Sequence, residues 1–419
     1  MRALRWLWVW VVASMVGPAA QAAPVITTFC FEFNIAYTDG AVGDLLTGTS
    51  TTARGNRVQF VKESNNTVVA DVYTDPTSGC VTLTGVQRLD TSFTYTIRLP
   101  REASIGGNTI VVQNASGGSI TAVPKTGLTP AAFRTYSYAN GDFWTRLSAT
   151  DPAMIVAAAE WSLNRRTAGL SGETFVFRNA GCGGSGTDSC FDQATELLWI
   201  GAPTRKFAIA HVMGLAVANF ANGHADALRD DNAALGACVP GATQSGHAMN
   251  TKEFSSEAAY EGFGSFYAAA AFNNDGTDAD CEFSTGTKVD WSANGLMNEP
   301  DEDTVFSCSA SPAPNQSPAI NDFDYFDQKC FSGDINNRST RYDWLKMLWD
   351  YRTDSVYGGY TVEDVYDRWD AANPDTWNAN GNAAGGTNGY PYKRLLDADG
   401  GNILGDWSLL GSGRHGIHH

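Results

Sequence analysis

The chain has 419 residues, of which 45 are acidic and 28 basic, and its formal net charge is −17. Such an excess of negative charge argues against a nucleic-acid-binding protein and against a protein that adheres to anionic membranes, because both surfaces repel it. With 43% hydrophobic residues the chain can bury sizeable cores, and its length allows two or three domains.

The first 22 residues have the features of a secretory signal peptide. Arg2 and Arg5 precede a short apolar run, and small residues at positions 20 and 22 predict cleavage after Ala22. The apolar run is too short to span a membrane comfortably, and we expect no transmembrane segment in the mature chain. We therefore predict a secreted, extracellular or periplasmic protein, with a mature net charge of about −19.

Eight cysteines remain after the predicted cleavage, and an even number in a secreted chain favours disulfides. A zinc–thiolate site is disfavoured because no two cysteines have C-x-x-C spacing. Eight cysteines allow 105 connectivities, and sequence proximity together with domain membership favours one of them. The predicted pairs are Cys30–Cys80, Cys182–Cys190, Cys238–Cys281 and Cys308–Cys330.

Residues 24–123 read as an all-β domain. Segments rich in Val, Thr, Phe and Tyr alternate with turn residues, and strands are predicted at residues 25–37, 57–61, 67–73, 80–83, 92–99 and 109–112. Residues 67–83, with Tyr95-Thr96-Ile97, resemble the small prealbumin-like β-sandwiches found beside secreted bacterial enzymes. The resemblance implies a spacer or a binding module. Residues 116–130 contain Gly-Gly-Ser and two prolines, which are typical of a linker, and the linker is predicted at residues 124–150.

Residues 151–395 are predicted to form an α+β, mainly helical domain, followed by a tail at residues 396–419. The helices are expected at residues 153–166, 207–220, 255–272, 341–351 and 362–371, with strands at residues 172–178 and 197–200. Thr361 and Asp364 have capping-box spacing at the start of the last helix. The overall prediction is thus a multidomain chain, a β-sandwich followed by a mainly helical domain.

Two of these helices contain the candidate functional residues. The helix at residues 207–220 is apolar on every side and holds a single ionisable side chain, His211. The helix at residues 255–272 holds Glu257 and Glu261, which lie one turn apart on one face. A buried histidine needs a hydrogen-bond partner, and Glu261 is the natural one. His211 is therefore expected to be a structural histidine paired with Glu261, unless further ligands make the site a metal centre.

This pair of helices resembles the active-site helices of gluzincin-type zinc metallopeptidases. In that family the first helix carries His-Glu-x-x-His and a later helix carries a third ligand, a glutamate. Here the first motif falls on His211-Val212-Met213-Gly214-Leu215, and the later glutamate is Glu261 within Glu-Gly-Phe-Gly. The resemblance implies that His211 and Glu261 are retained ligands. Val212 stands in place of the general base, and Leu215 in place of the second histidine.

Those two replacements bear directly on activity. A catalytic zinc needs three protein ligands and a position for water, and Leu215 has no lone pair to offer. Val212 cannot take a proton from a metal-bound water. The motif is therefore degenerate, and zinc-dependent hydrolysis is not expected from these residues.

A rearranged site is the alternative. His247 lies just upstream of the second helix and could replace the missing ligand, with His211 and Glu261 as the other two and Glu257 as the base. His224 is a weaker candidate. Acidic loops at residues 273–280, 298–303 and 321–327 have oxygen ligands that suit calcium. None of these loops has EF-hand spacing, and the alternative interpretation is that they are solvated acidic loops.

Three functions follow from these residues. The first is a secreted pseudoenzyme with a decayed zinc site that binds a peptide or a protein without hydrolysing it. The second is an active zinc peptidase that uses His247. The third is a structural or extracellular-matrix protein in which the β-domain is the working part.

Overall fold

The computed structural model describes residues 27–39, 45–131, 135–138, 152–165, 169–221, 253–273, 282–284, 305–307, 338–339, 341–353 and 360–371. Ten described strands precede the first helix. They are β1 Thr27–Asn34, β2 Ser50–Thr52, β3 Arg57–Lys62, β4 Thr67–Tyr73, β5 Cys80–Leu83, β6 Tyr95–Pro100, β7 Glu102–Ile105, β8 Asn108–Asn114, β9 Thr121–Leu128 and β10 Thr135–Tyr138.

The second part of the chain alternates helices with short strands. The helices are α1 Pro152–Arg165, α2 Lys206–Ala221, α3 Ser255–Phe272, α4 Arg341–Thr353 and α5 Val362–Ala371. The strands are β11 Thr174–Asn179, β12 Cys190–Asp192, β13 Leu197–Trp199, β14 Glu253–Phe254, β15 Glu282–Ser284, β16 Val305–Ser307 and β17 Arg338–Ser339. Of the described helices, none combines the length and the apolar character that crossing a bilayer needs.

Strands β1 to β13 form three sheets, and two further two-stranded sheets pair β14 with β17 and β15 with β16. Strand β1 pairs in parallel with β10 on one side, and antiparallel with β5 and then β2 on the other. A second sheet has the order β4-β3-β6-β9, and all of its pairs are antiparallel. The third has the order β12-β13-β11-β8-β7, with β8, β11 and β13 parallel to one another. One face of this mixed sheet packs on α1 and α2, as its alternating buried residues require.

The coarse prediction of a β-rich first part followed by helices is confirmed, whereas a separate sandwich and a mainly helical domain are not. Strand β8 comes from the first predicted domain and pairs with β11 from the second, and β7 pairs with the other side of β8. Strands β9 and β10 occupy part of the predicted linker. One hydrophobic cluster contains buried residues from both parts. Parallel pairing between strands that are far apart in the sequence has no local sequence signature. The predicted domain boundaries stay predictions.

Two buried carboxylates join the first part of the chain to the helices. Asp39 is 3% exposed and accepts the backbone N–H groups of Lys206 and Phe207, each at 2.8 Å, so it caps α2 from outside the helix. Glu160 in α1 is fully buried and accepts the backbone N–H of Arg54 at 3.0 Å and the side-chain amide of Asn56. These contacts fix the first part of the chain against the N-terminus of α2 and against the side of α1.

Local predictions agree closely with the structure. Disulfides join Cys30 to Cys80 on the paired strands β1 and β5, and Cys182 to Cys190 next to β12, as predicted. The other four predicted cysteines, Cys238, Cys281, Cys308 and Cys330, lie outside the described residues. At the start of α5, the Asp364 carboxylate accepts the backbone N–H of Thr361 at 2.7 Å. The Asp364 backbone N–H donates to the Thr361 hydroxyl at 3.1 Å, which completes the capping box.

Candidate functional site

The site lies where α2, α3 and the first residue of α4 meet. Helix α2 is buried along almost its whole length, as expected for a helix that is apolar on every side. His211 is 9% exposed and Glu261 on α3 is 5% exposed. Arg341 begins α4, and its side chain is 11% exposed. Three ionisable side chains from three helices therefore meet in a largely dry environment.

The predicted partnership between His211 and Glu261 is present. The Nε2 atom of His211 lies 2.9 Å from Oε2 of Glu261. The guanidinium of Arg341 contacts both residues, with Nη2 at 3.1 Å from Nδ1 of His211 and Nη1 at 3.5 Å from the same Glu261 oxygen. Each ring nitrogen of the histidine thus has a partner among the described residues.

Hydrogen-bond chemistry assigns the proton on the imidazole. A guanidinium can only donate, so Nδ1 of His211 must accept from Arg341. The ring proton then belongs to Nε2, which donates to the Glu261 carboxylate. This tautomer is inferred from the partners. It leaves His211 neutral, between the cation of Arg341 and the carboxylate of Glu261.

Ser265 holds Arg341 in place from a third direction. The Nε of Arg341 donates to the Ser265 hydroxyl at 2.6 Å, and that hydroxyl donates to the backbone carbonyl of Glu261 at 2.9 Å. Ser265 is fully buried, one turn after Glu261 on the same face of α3. Because each nitrogen of the guanidinium has a partner, its orientation is tightly constrained.

Glycines allow the helices to approach this closely. A Cβ on Gly264 would lie 2.8 Å from Nδ1 of His211 and 2.8 Å from Cδ2 of Leu215. A Cβ on Gly214 would lie 2.9 Å from the Cα of Gly264, so α2 and α3 cross at these two glycines. On the other side of α3, a Cβ on Gly262 would overlap the Cβ of Trp344 in α4. The Glu-Gly-Phe-Gly sequence therefore places α2 and α4 against opposite sides of α3.

The two replaced positions of the metallopeptidase-like motif are filled with hydrocarbon. Val212 is fully buried and Leu215 is 2% exposed. A Cβ on Gly264 would meet both Leu215 and His211, so the two side chains are neighbours on one face of α2. The backbone carbonyl of Leu215 accepts the hydroxyl of Tyr260 at 2.7 Å. An apolar side chain thus occupies the position one turn beyond His211.

The remaining candidates are placed as follows. His247 and His224 lie outside the described residues, as do almost all of the acidic stretches considered for calcium. Glu257 lies in the first turn of α3, and its side chain is outside what the structure describes. Their proposed roles stay predictions. Within the described part of the chain, no three His, Cys, Asp or Glu side chains are gathered closely enough to hold a metal ion.

The described residues do not fit the zinc that the gluzincin resemblance implies. The two candidate ligand atoms, Nε2 of His211 and Oε2 of Glu261, are hydrogen-bonded to each other. Leu215 supplies no third ligand, whereas a catalytic zinc takes three. Arg341 would also place a positive charge within a few ångströms of any ion bound there, which is repulsive in a poorly solvated site. The arrangement can fix three helices, but it cannot activate a metal-bound water.

Arg341 is the site residue that sequence analysis missed. It is 130 residues from His211 in the chain, and its sequence context is an ordinary amphipathic helix. An arginine at the first position of a helix is also not a usual dipole partner. The unusual position of this arginine was the one feature of the local sequence that could have indicated a role for it. It does not identify which residues the side chain contacts.

Comparison of the chain with protein-family models, with curated proteins and with solved structures finds no match. The functional assignment therefore depends on the residues and their geometry.

Proposed function

We propose that this protein is a secreted, non-hydrolytic peptide- or protein-binding protein built on a metallopeptidase-like pair of helices. One observation carries the proposal: His211 and Glu261 are bonded to each other and to Arg341, while Val212 and Leu215 fill the other two motif positions. Hydrolysis of a peptide needs an activated water and a proton acceptor beside it, and these residues supply neither.

Secretion has independent support. Two disulfides in the described residues are typical of proteins that mature in an oxidising compartment. The sequence of the first 22 residues has signal-peptide character. Both features agree with a protein that acts outside the cytoplasm.

The binding surface that we propose is the edge strand β12. Among the described strands, β12 is the last in its sheet, pairs antiparallel with β13 on one side, and packs against α2. The backbone groups on the outer side of an edge strand can pair with an extended peptide. The Cys182–Cys190 disulfide anchors the start of the strand. Because the chain is strongly acidic, we expect a preference for peptides that carry lysine or arginine.

Metal and activity measurements on the purified mature protein test the absence of hydrolysis. We expect less than stoichiometric zinc by elemental analysis, and no cleavage of a mixed peptide library with or without added zinc. His247→Ala is the control variant, and it should leave both results unchanged. Stoichiometric zinc together with chelator-sensitive cleavage would establish the active alternative instead, with loss of metal in His247→Ala identifying its extra ligand.

Peptide titrations test the binding surface. An extended cationic peptide should bind, and the same peptide with alternate backbone nitrogens methylated should bind at least about tenfold more weakly, because methylation removes the N–H groups that pair with a strand edge. Equal affinities of the two peptides would exclude pairing with β12.

A further inference from the structure

The buried Glu261 carboxylate needs a compensating positive charge. Glu261 is 5% exposed, and a buried ionised carboxylate without a cation is costly. In a metal site the ion supplies that charge. Here, among the described residues, Arg341 supplies a positive charge, because its Nη1 lies 3.5 Å from the carboxylate oxygen.

Arg341 also bonds the histidine that a metal would otherwise use. Its Nη2 lies 3.1 Å from Nδ1 of His211, so one planar cation bridges the two residues of the motif that are still metal ligands by type. A guanidinium suits this role because its planar fork presents several donors in fixed directions. Its third contact, from Nε to Ser265, sets the plane of the fork.

We propose that the Arg341 guanidinium is the resident cation of this site and that its charge excludes divalent metal ions. The inference builds on the proposed function, because it explains how a metallopeptidase-like helix pair is stable without a metal. It also predicts a latent site: His211 and Glu261 become able to bind a metal once the positive charge is removed.

The charge requirement leads to a matched pair of variants. Arg341→Gln removes the charge but keeps an amide that can donate to His211 or Ser265. Arg341→Lys keeps the charge but loses the fork. If charge excludes the metal, only Arg341→Gln should gain metal binding. If shape alone matters, both variants should gain it.

Cobalt(II) absorption and zinc calorimetry on the full-length mature protein provide the readout. We expect Arg341→Gln to bind Co²⁺ and Zn²⁺ at least about tenfold more tightly than the wild type or Arg341→Lys. Adding Glu261→Gln to Arg341→Gln should remove the gain. Equal affinity in Arg341→Gln and the wild type, or an equal gain in Arg341→Lys, would overturn the proposal.

A measurement on the wild type keeps the test independent of how well the variants fold. Nitrogen-15 NMR of the His211 ring should show a proton on Nε2 and none on Nδ1, with no change when zinc is added at millimolar concentration. A zinc-induced shift of these nitrogens in the wild type would contradict exclusion by Arg341. Peptide cleavage does not enter these readouts. Failure of this inference is therefore distinguishable from failure of the proposed function, which would appear as stoichiometric zinc together with chelator-sensitive peptide cleavage in the unmodified protein.

Discussion

Single side chains in this protein have roles set by their burial. Asp39 is the clearest example, because it caps α2 while lying almost completely out of solvent. Burial raises the pKa of Asp39 from 3.8 to about 7, although the two backbone N–H groups and the charge of Lys206 act in the opposite direction. The neutral form is therefore favoured in the folded state relative to the unfolded chain.

A pH dependence of stability follows from Asp39. Because its folded pKa is raised, the group stabilises the fold fully below its unfolded pKa, and this contribution is lost as pH rises through about 7. The loss between pH 4 and 8 should reach at most about 4 kcal/mol. Asp39→Asn does not titrate, so urea unfolding at several pH values should show a smaller decrease in its free energy of unfolding over that range.

Comparing the wild type with Asp39→Asn isolates the contribution of Asp39 to the pH dependence of stability. Glu160 is fully buried and its pKa is also raised, by desolvation first, but it is present in both proteins and cancels in the difference. Parallel stability curves for the wild type and Asp39→Asn between pH 4 and 8 would show that Asp39 does not titrate in this range.

At the scale of the helices, the packing of α2 and α4 against α3 depends on two glycines of α3. Helical glycine is normally less favourable than alanine by about 1 kcal/mol. At Gly262 and Gly264 close contact with α4 and α2 reverses that preference. The same contacts bring Arg341 on α4 and His211 on α2 within hydrogen-bond distance.

We predict that Gly262→Ala is more destabilising than Gly264→Ala. The added methyl of Gly262→Ala meets the Cβ of Trp344 and the backbone of α4, which are rigid, whereas that of Gly264→Ala meets side-chain atoms of His211 and Leu215. Overpacking of this kind costs about 1–3 kcal/mol, and Gly262→Ala should lie at the upper end. Thermal unfolding of both variants measures the order, and a more stable Gly262→Ala would contradict the packing.

At the scale of the whole molecule, the β-rich part and the helices share their interior. The mixed sheet takes strands from both parts, and the hydrophobic cluster is continuous across them. Hydrogen bonds also join the two parts. Glu160 of α1 accepts hydrogen bonds from Arg54 and Asn56, and the hydroxyl of Tyr37 donates to the Met154 carbonyl at 2.7 Å. We therefore expect the described residues of the two parts to unfold together.

Substitutions of Glu160 test this coupling. Glu160→Ala removes the acceptor of the part-buried Arg54 N–H and of one N–H of the Asn56 amide, whose nitrogen also donates to the Arg54 carbonyl at 3.0 Å. This loss should cost about 2–4 kcal/mol. Glu160→Gln keeps one acceptor and should lose about half as much. Unfolding followed by tryptophan fluorescence and by far-UV circular dichroism should stay coincident in both variants. A loss of signal from the strands before the helices would contradict a shared core.

The sequence by itself determined the local structure. The bounds of α3 and α5, the Thr361–Asp364 capping box, several strands, and the Cys30–Cys80 and Cys182–Cys190 pairs were all predictable. So was the partnership of His211 with Glu261, since an apolar helix with one histidine requires a polar partner nearby. Each of these depends on hydrophobic period, a cap, a short spacing or an unsatisfied hydrogen-bonding group.

Only the tertiary structure decided the chemistry of the site and the way the two parts are joined. Arg341 reaches His211 across 130 residues, and Asp39 caps Lys206 across 167 residues. The parallel pairing of β8 with β11 likewise joins the two halves. Contacts of this kind depend on which helix faces and strand edges meet when the core closes, and neighbouring residues in the sequence carry no record of that choice.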